Sequence, residues 1–188
     1  MTNKMRLIVG MSGASGIIYG VRLLEFLKQL NVETHLVVSN SAKITQGYEM
    51  TLGNKALQNL SDFTYSSTDI SAPISSGSFK TSGMIIAPCS MRSLSEIATG
   101  VTSSLLTRAA DVVLKERRRL VLVVRESPLH AGHLKSMLAV TEMGGIIAPP
   151  VPAFYNNPTT LDDIINHTVG RILDLFNLDT GHVKRWKE

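Results

Sequence analysis

The chain has 188 residues, enough for one domain with a substantial core. It is 44% hydrophobic and 18% charged, and its net charge of +4 suits an acidic small molecule; no basic block interleaved with aromatics points to nucleic acid. A single cysteine, Cys89, excludes an internal disulfide framework and a thiolate zinc site. No apolar run approaches the roughly 20 residues of a membrane span, so a reducing cytoplasm is the expected setting.

In chain order, the start "MTNKMRLIVGM" mimics a signal peptide, but its apolar stretch is short and glycine interrupts it. Strands are predicted at 6–11, 33–38, 83–87, 119–124 and 145–148. Apolar residues on both faces of these runs indicate a parallel sheet covered on both sides. Helices are predicted at about 15–30, 41–51, 91–99, 103–117, 129–143 and 159–177. The last carries the stripe Leu161, Ile164, Ile165, Val169, Ile172, Leu173 and Phe176. Residues 52–82 are polar and Ser-rich and read as an excursion above the sheet. "KERRRL" (115–120) reads as a solvated helix end. A tail is expected at 178–188, leaving the last helix after Gly181, with the sole tryptophan, Trp186, packed on this chain or a neighbour.

Alternating strands and helices imply a single α/β domain over 1–188, Rossmann-like and doubly wound with right-handed crossovers. Ligands of such folds gather at the carboxyl ends of the strands. Those ends read "GMSGASG", "VVSNSAK", "APCSMRS", "VVRESP" and "APPVPAFY", each rich in small hydroxyls or carrying Arg, Glu or Tyr. One rim is therefore a site.

The glycine–serine turn, with Gly10, Gly13, Gly16, Ser12 and Ser15, lets backbone N–H groups approach an anion at a helix start. Close helix–sheet packing is its plainer reading. The spacing is neither the dinucleotide fingerprint nor a nucleotide-triphosphate loop, and no G-x-S-x-G nucleophile elbow is present. His130 and His133 read as surface or cap histidines, Asp162 and Asp163 as helix-start carboxylates, and Cys89 as a small core residue. Arg108 and Lys115, seven apart, share a helix face, while Arg125 and Tyr155 lie at strand ends and Arg171 on the last helix. Converging on one rim, they would make a phosphate clamp.

"GMSGASG", "PCSMRSL", "RAADVVLKERRRLVLVVRESPL" and "FYNNP", in this order, resemble the UbiX-type flavin prenyltransferases, including members formerly labelled phenolic acid decarboxylase subunits. The likeness runs from about residue 6 to Trp186. It implies a flavodoxin-like subunit in a homo-oligomer, commonly a dodecamer, with sites at subunit junctions. The implied reaction joins a dimethylallyl group, from dimethylallyl monophosphate or in some members the diphosphate, to N5 and then C6 of reduced FMN. Prenylated FMN then serves a UbiD-type decarboxylase. No metal, membrane or nucleic acid is implied.

By position, the resemblance implies flavin contacts at Gly13, Ala14, Ser15, Ser39, Ser90, Met91, Arg92, Ser93 and Arg125. It implies prenyl-phosphate ligands at Tyr155 and Arg171, with Lys115 and Arg108 in support, Glu126 paired with Arg125, and Trp186 close by. It makes Glu49 the acid–base residue, assisted by Ser15; read from the residues alone, Glu49 is an exposed helix carboxylate. Val124 stands where relatives often carry proline. Two other readings stay open on the residues: a flavin-dependent cysteine-type decarboxylase, whose "PASANT"-like segment is "PCSMRS" here, and a non-catalytic FMN carrier.

Overall fold

Runs of apolar residues pointing both ways along the central strands dictate a sheet with two covered faces. In a computed structural model, which describes residues 4–187, strands β1 (Arg6–Met11), β2 (Glu33–Val38), β3 (Phe63–Ser66), β4 (Gly83–Cys89), β5 (Arg119–Val124) and β6 (Ile146–Ile147) form that sheet. All pairings are parallel, in the order β3-β2-β1-β4-β5-β6. Helices α1 (Ile17–Gln29), α2 (Asn40–Glu49), α3 (Asn54–Gln58), α4 (Met91–Thr99), α5 (Leu105–Lys115), α6 (Ala131–Glu142) and α7 (Leu161–Asp174) join and cover the strands. The opening residues of the signal-like start, and both outermost ends of the 1–188 domain, lie outside the described residues.

The two-residue period of the strands sorts the core into two layers. Leu7, Val9 and Met11 pack beneath Leu24 and Leu27 of α1 and Val169 and Leu173 of α7. Ile8, Met84, Ile86, Leu120 and Leu122 point the other way, onto Leu94 and Ile97 of α4 and Leu106, Ala109 and Val113 of α5. Each such side chain contributes about 1.5–3 kcal/mol on full burial. No helix among the described residues is long and apolar enough to cross a membrane.

Three expectations are corrected. Residues 52–82 are not wholly an excursion: they contain α3 and the edge strand β3, which pairs with β2 from His35↔Phe63 to Val38↔Ser66. The last helix ends at Asp174 rather than 177. The tail accordingly departs before Gly181 and folds back on its own chain, where His182 stacks on Phe26 with ring centroids 4.9 Å apart and Val183 lies against Gly170.

Gly20 sets how closely α1 lies on the sheet, since a Cβ there would stand 2.3 Å from the Ala87 carbonyl oxygen. That oxygen is backbone and cannot swing away. Gly20→Ala is expected to destabilise the fold by about 1–3 kcal/mol in urea denaturation; an unchanged midpoint would mean that α1 shifts freely.

A candidate active site at the strand ends

The chain leaves β1 toward one edge of the sheet and β4 toward the other, so a crevice opens between their carboxyl ends. Ser12, buried at the end of β1, closes its floor. Its hydroxyl donates to the Pro88 carbonyl at 3.0 Å and accepts the Ser90 backbone N–H at 2.7 Å, while its own N–H donates to Pro88 at 3.1 Å. The Arg125 backbone N–H in turn donates to the Cys89 carbonyl at 3.1 Å, tying the end of β5 to the same point.

Above this floor runs the glycine–serine turn. Gly16 has φ +105°, a left-handed conformation that few residues tolerate, and a Cβ on Gly13 would lie 2.5 Å from that of Ser41. Gly13 thereby lets α2 lie along the turn. Ser41, Thr45 and Glu49, spaced four apart on one face of α2, touch it in succession. Thr45 donates to the Gly13 carbonyl at 3.3 Å. Glu49 accepts the Gly16 N–H at 3.0 Å and the Ile17 N–H at 2.9 Å, meeting the open amides and the dipole at the start of α1. Partial burial is the largest influence on its carboxyl and works upward. The Ser15 hydroxyl, the two backbone N–H groups and the charge of Arg125 outweigh it and hold Glu49 below the usual range. Ser15, Glu49 and Arg125 thus form one electrostatic unit at the rim.

Beside the turn lies a cleft of about 400 Å³, lined by Ser12, Gly13, Ser39, Ser90, Ser93 and Ser104 among others. Ser39, Ser90 and Ser104 are the N-caps of α2, α4 and α5, and accept N–H groups of Ala42, Ser93 and Thr107. Three helix N-termini therefore open on one hydroxyl-lined space, an arrangement that favours a phosphate. Arg92 and Glu96 close one side, paired at 2.9 Å. Met91 packs against the core layer next to α4.

The remaining expected residues do not join this group within one chain. α5 starts at the cleft with Ser104 and runs back along the sheet, so Lys115 lies about 16 Å further along. There it pairs with Glu116 beside Gly77. Arg108 is turned to Asp111 at 2.8 Å and to the Ser75 carbonyl. Arg171 stands one turn before the end of α7, close to where the Leu175 carbonyl meets Arg119 at the start of β5. It pairs with Asp174 at 2.6 Å, and Arg185 of the tail holds the same carboxylate at 3.1 Å. Tyr155 forms a separate group, its hydroxyl 3.3 Å from His167 Nε2 and its ring 5.4 Å from that of Trp186, edge to face. Trp186 remains 67% exposed and borders a hollow of about 570 Å³ with Lys184 and Lys187. Glu126 is exposed and accepts only the Ser127 N–H among the described residues.

The plainer readings stand elsewhere. His130 caps α6 by accepting the Gly132 N–H and stacks on His133, and no cluster of three or more His, Cys, Asp or Glu among the described residues could hold a metal ion. Asp163 caps α7 reciprocally with Thr160; N–H groups of Thr159 and Thr160 hold its carboxyl down at about 2. Sequence reading missed Ser67, Thr68, Ser103, Ser104 and Thr107 of the cleft and Thr45 beneath the turn. The four-residue spacing of Ser41, Thr45 and Glu49 was the available signal.

The family model described as Flavoprotein matches residues 1–173. The flavin prenyltransferase UbiX of Escherichia coli K12 is 58% identical over 185 residues, covering 97% of this chain and 98% of the relative. The crystal structure of AnUbiX in complex with FMN and dimethylallyl pyrophosphate is similar at TM-score 0.97 and 49% identity, covering 99% of each chain. A dodecameric FMN-dependent UbiX-like decarboxylase from Escherichia coli O157:H7 is similar at TM-score 0.96 and 51% identity, over 98% of this chain and all of that one.

A folded-state pKa below the ordinary 4.5 means that ionised Glu49 stabilises the fold fully above that value and ceases to as pH falls through the lowered one. The melting-temperature advantage of wild type over Glu49→Gln should therefore be present at about pH 7 and shrink below 4.5; a gap independent of pH would disprove the ionic contact. Burial pushes the Cys89 thiol up to about 12. A thiol reagent at about pH 8 should leave native protein unmodified and label it in denaturant, and rapid native labelling would contradict the burial.

Proposed function

The chain belongs to the UbiX-type flavin prenyltransferases, and from that premise we propose that it joins a dimethylallyl group to N5 and then C6 of reduced FMN, making prenylated FMN for a UbiD-type decarboxylase. The reading is carried by one juxtaposition: Glu49 of α2 takes the Gly16 and Ile17 N–H groups of the glycine–serine turn, and the same turn borders, at Gly13, a cleft onto which three helix N-termini open. The donor set fits a flavin mononucleotide. Hydroxyls and N-terminal amides suit its phosphate, and the turn at Gly13 and Ala14 offers backbone to the ring. When bound, reduced FMN supplies the electron-rich ring that takes up the five-carbon unit.

Each residue then has a task. Ser39, Ser90 and Ser93 hold the phosphate end, flanked by Met91 and Arg92. Arg125, with Glu126 beside it, would contact the flavin and supply a cation to the leaving phosphate. Glu49, ionised at neutral pH, accepts a proton through the Ser15 hydroxyl when the second bond closes. A monophosphate leaving group carries about two negative charges at pH 7, which cations neutralise without a metal. Tyr155, Arg171, Lys115 and Arg108 do not line the cleft of their own chain. In this reading they reach the site of a neighbouring copy in a homo-oligomer, most simply a dodecamer like the one its relative forms, with Trp186 alongside.

Purified protein given reduced FMN and dimethylallyl monophosphate, without added magnesium, should yield FMN heavier by one five-carbon unit in mass spectrometry. A parallel sample with the diphosphate tells which ester is used, and unaltered flavin with both would refute the activity. Glu49→Gln should retain FMN and stop before ring closure; normal turnover would remove Glu49 from proton handling. Lys115→Ala and Arg125→Ala should each be inactive alone and recover part of the activity when dissociated and reassembled together. No recovery would place both cations in one chain's site.

A further inference from the structure

The cleft has an acidic member that neither the resemblance nor the reaction calls for. Glu96, on α4, stands among hydroxyls where a phosphate is expected, and a bare carboxylate there would repel it. It is not bare. Glu96 Oε1 accepts Arg92 Nε at 2.9 Å, and Oε2 accepts the Ser103 hydroxyl at 2.6 Å. Its side chain is only 16% exposed, whereas that of Arg92 is 78% exposed. A largely covered acid thus anchors an exposed base, and both border the cleft.

The anchoring leaves a specific set of donors. Arg92 spends Nε on Glu96, and its Nη1 and Nη2 groups have no protein acceptor among the described residues. An arginine free to sample many rotamers loses entropy when it meets an anion; one held at Nε has already lost part of it. Ser103, held by the other carboxylate oxygen, lies just before the N-cap Ser104, so the same carboxylate also fixes the approach to the third helix N-terminus.

We propose that Glu96 is a positioning residue for the phosphate end of the flavin: it holds Arg92 over the cleft, and Ser103 beside it, so that the Arg92 terminal amino groups meet the phosphate. The inference rests on the flavin reading above and adds a residue to it. It requires that discrimination between FMN and riboflavin, which lacks the phosphate, passes through Glu96.

The test is equilibrium binding of FMN and of riboflavin to the full-length protein, freed of flavin, followed by quenching of flavin fluorescence. Wild type is compared with Glu96→Ala, Glu96→Gln, Arg92→Ala and the double alanine variant, each verified as folded by thermal melting. The Glu96→Ala and Arg92→Ala variants should each weaken FMN about tenfold and leave riboflavin unchanged, as for loss of one well-placed charge-assisted contact. The double variant should be no weaker than Arg92→Ala, because both changes remove one contact. Glu96→Gln, which keeps an acceptor for Nε, should recover much of the affinity. Unchanged or tighter FMN binding in Glu96→Ala, or equal losses for FMN and riboflavin, would overturn the inference. If wild type itself fails to prefer FMN to riboflavin, the flavin reading of the cleft falls first, and this inference with it.

Discussion

One buried hydroxyl holds the rim together. Ser12 both donates and accepts between the ends of β1 and β4, where the chain's two directions of travel part and no other strand can bridge them. Its partners are backbone groups, so the geometry is insensitive to which side chains surround it. The Ser90 N–H that it captures belongs to the N-cap of α4, and the adjacent Cys89 carbonyl captures Arg125. From one contact the floor of the crevice, the start of a helix and the position of a cation all follow. An apolar residue in place of Ser12 would leave the Ser90 N–H without this acceptor, at a cost of about 1–3 kcal/mol.

Electrostatics in the crevice come more from backbone than from side chains. Three N-termini point inward, and the nearby carboxylates, Glu49 and Glu96, are each engaged by N–H or hydroxyl donors. Glu49 is unusual in meeting the start of α1 from a different helix, so the dipole that would otherwise favour an incoming anion at that spot is already answered. The helix starts left open toward the crevice are those of α2, α4 and α5, at the hydroxyl cleft. The division of labour between the two halves of the crevice is set by which helix starts are already satisfied.

Much of this was legible in the sequence, for identifiable reasons. β1, β2 and β5 each carry a run of apolar residues that reaches both faces, and their bounds match the expected ones; the bounds of α4, bracketed by Ser90 and Gly100, match too. β3 was not legible because "FTYS" is short and largely exposed, and it is held by main-chain pairing to β2 rather than by an apolar pattern. Glu49 was singled out by the resemblance alone, because the backbone partners that mark its place at the turn lie 32 and 33 positions away. Lys115 and Arg171 lie apart from the cleft of their own chain for a reason the sequence also carried. Seven-residue spacing told which face of the helix Lys115 shares with Arg108, but a helix that follows a strand runs back from the rim. A residue late in such a helix belongs to the far end of the sheet, which the helix lengths alone imply.

Asp174 sits between two guanidinium groups, Arg171 on its own helix and Arg185 from the tail. Its carboxyl is partly buried, which works against its charge, yet the paired arginines keep it below the usual aspartate range. Two counter-ions for one acid is a redundancy with a use. If an anion arriving from outside draws Arg171 away, Arg185 is still in place, and the acid is not stranded in a low-dielectric spot. The swap then amounts to an exchange of companions rather than the breaking of a pair, and the C-terminal segment stays moored throughout.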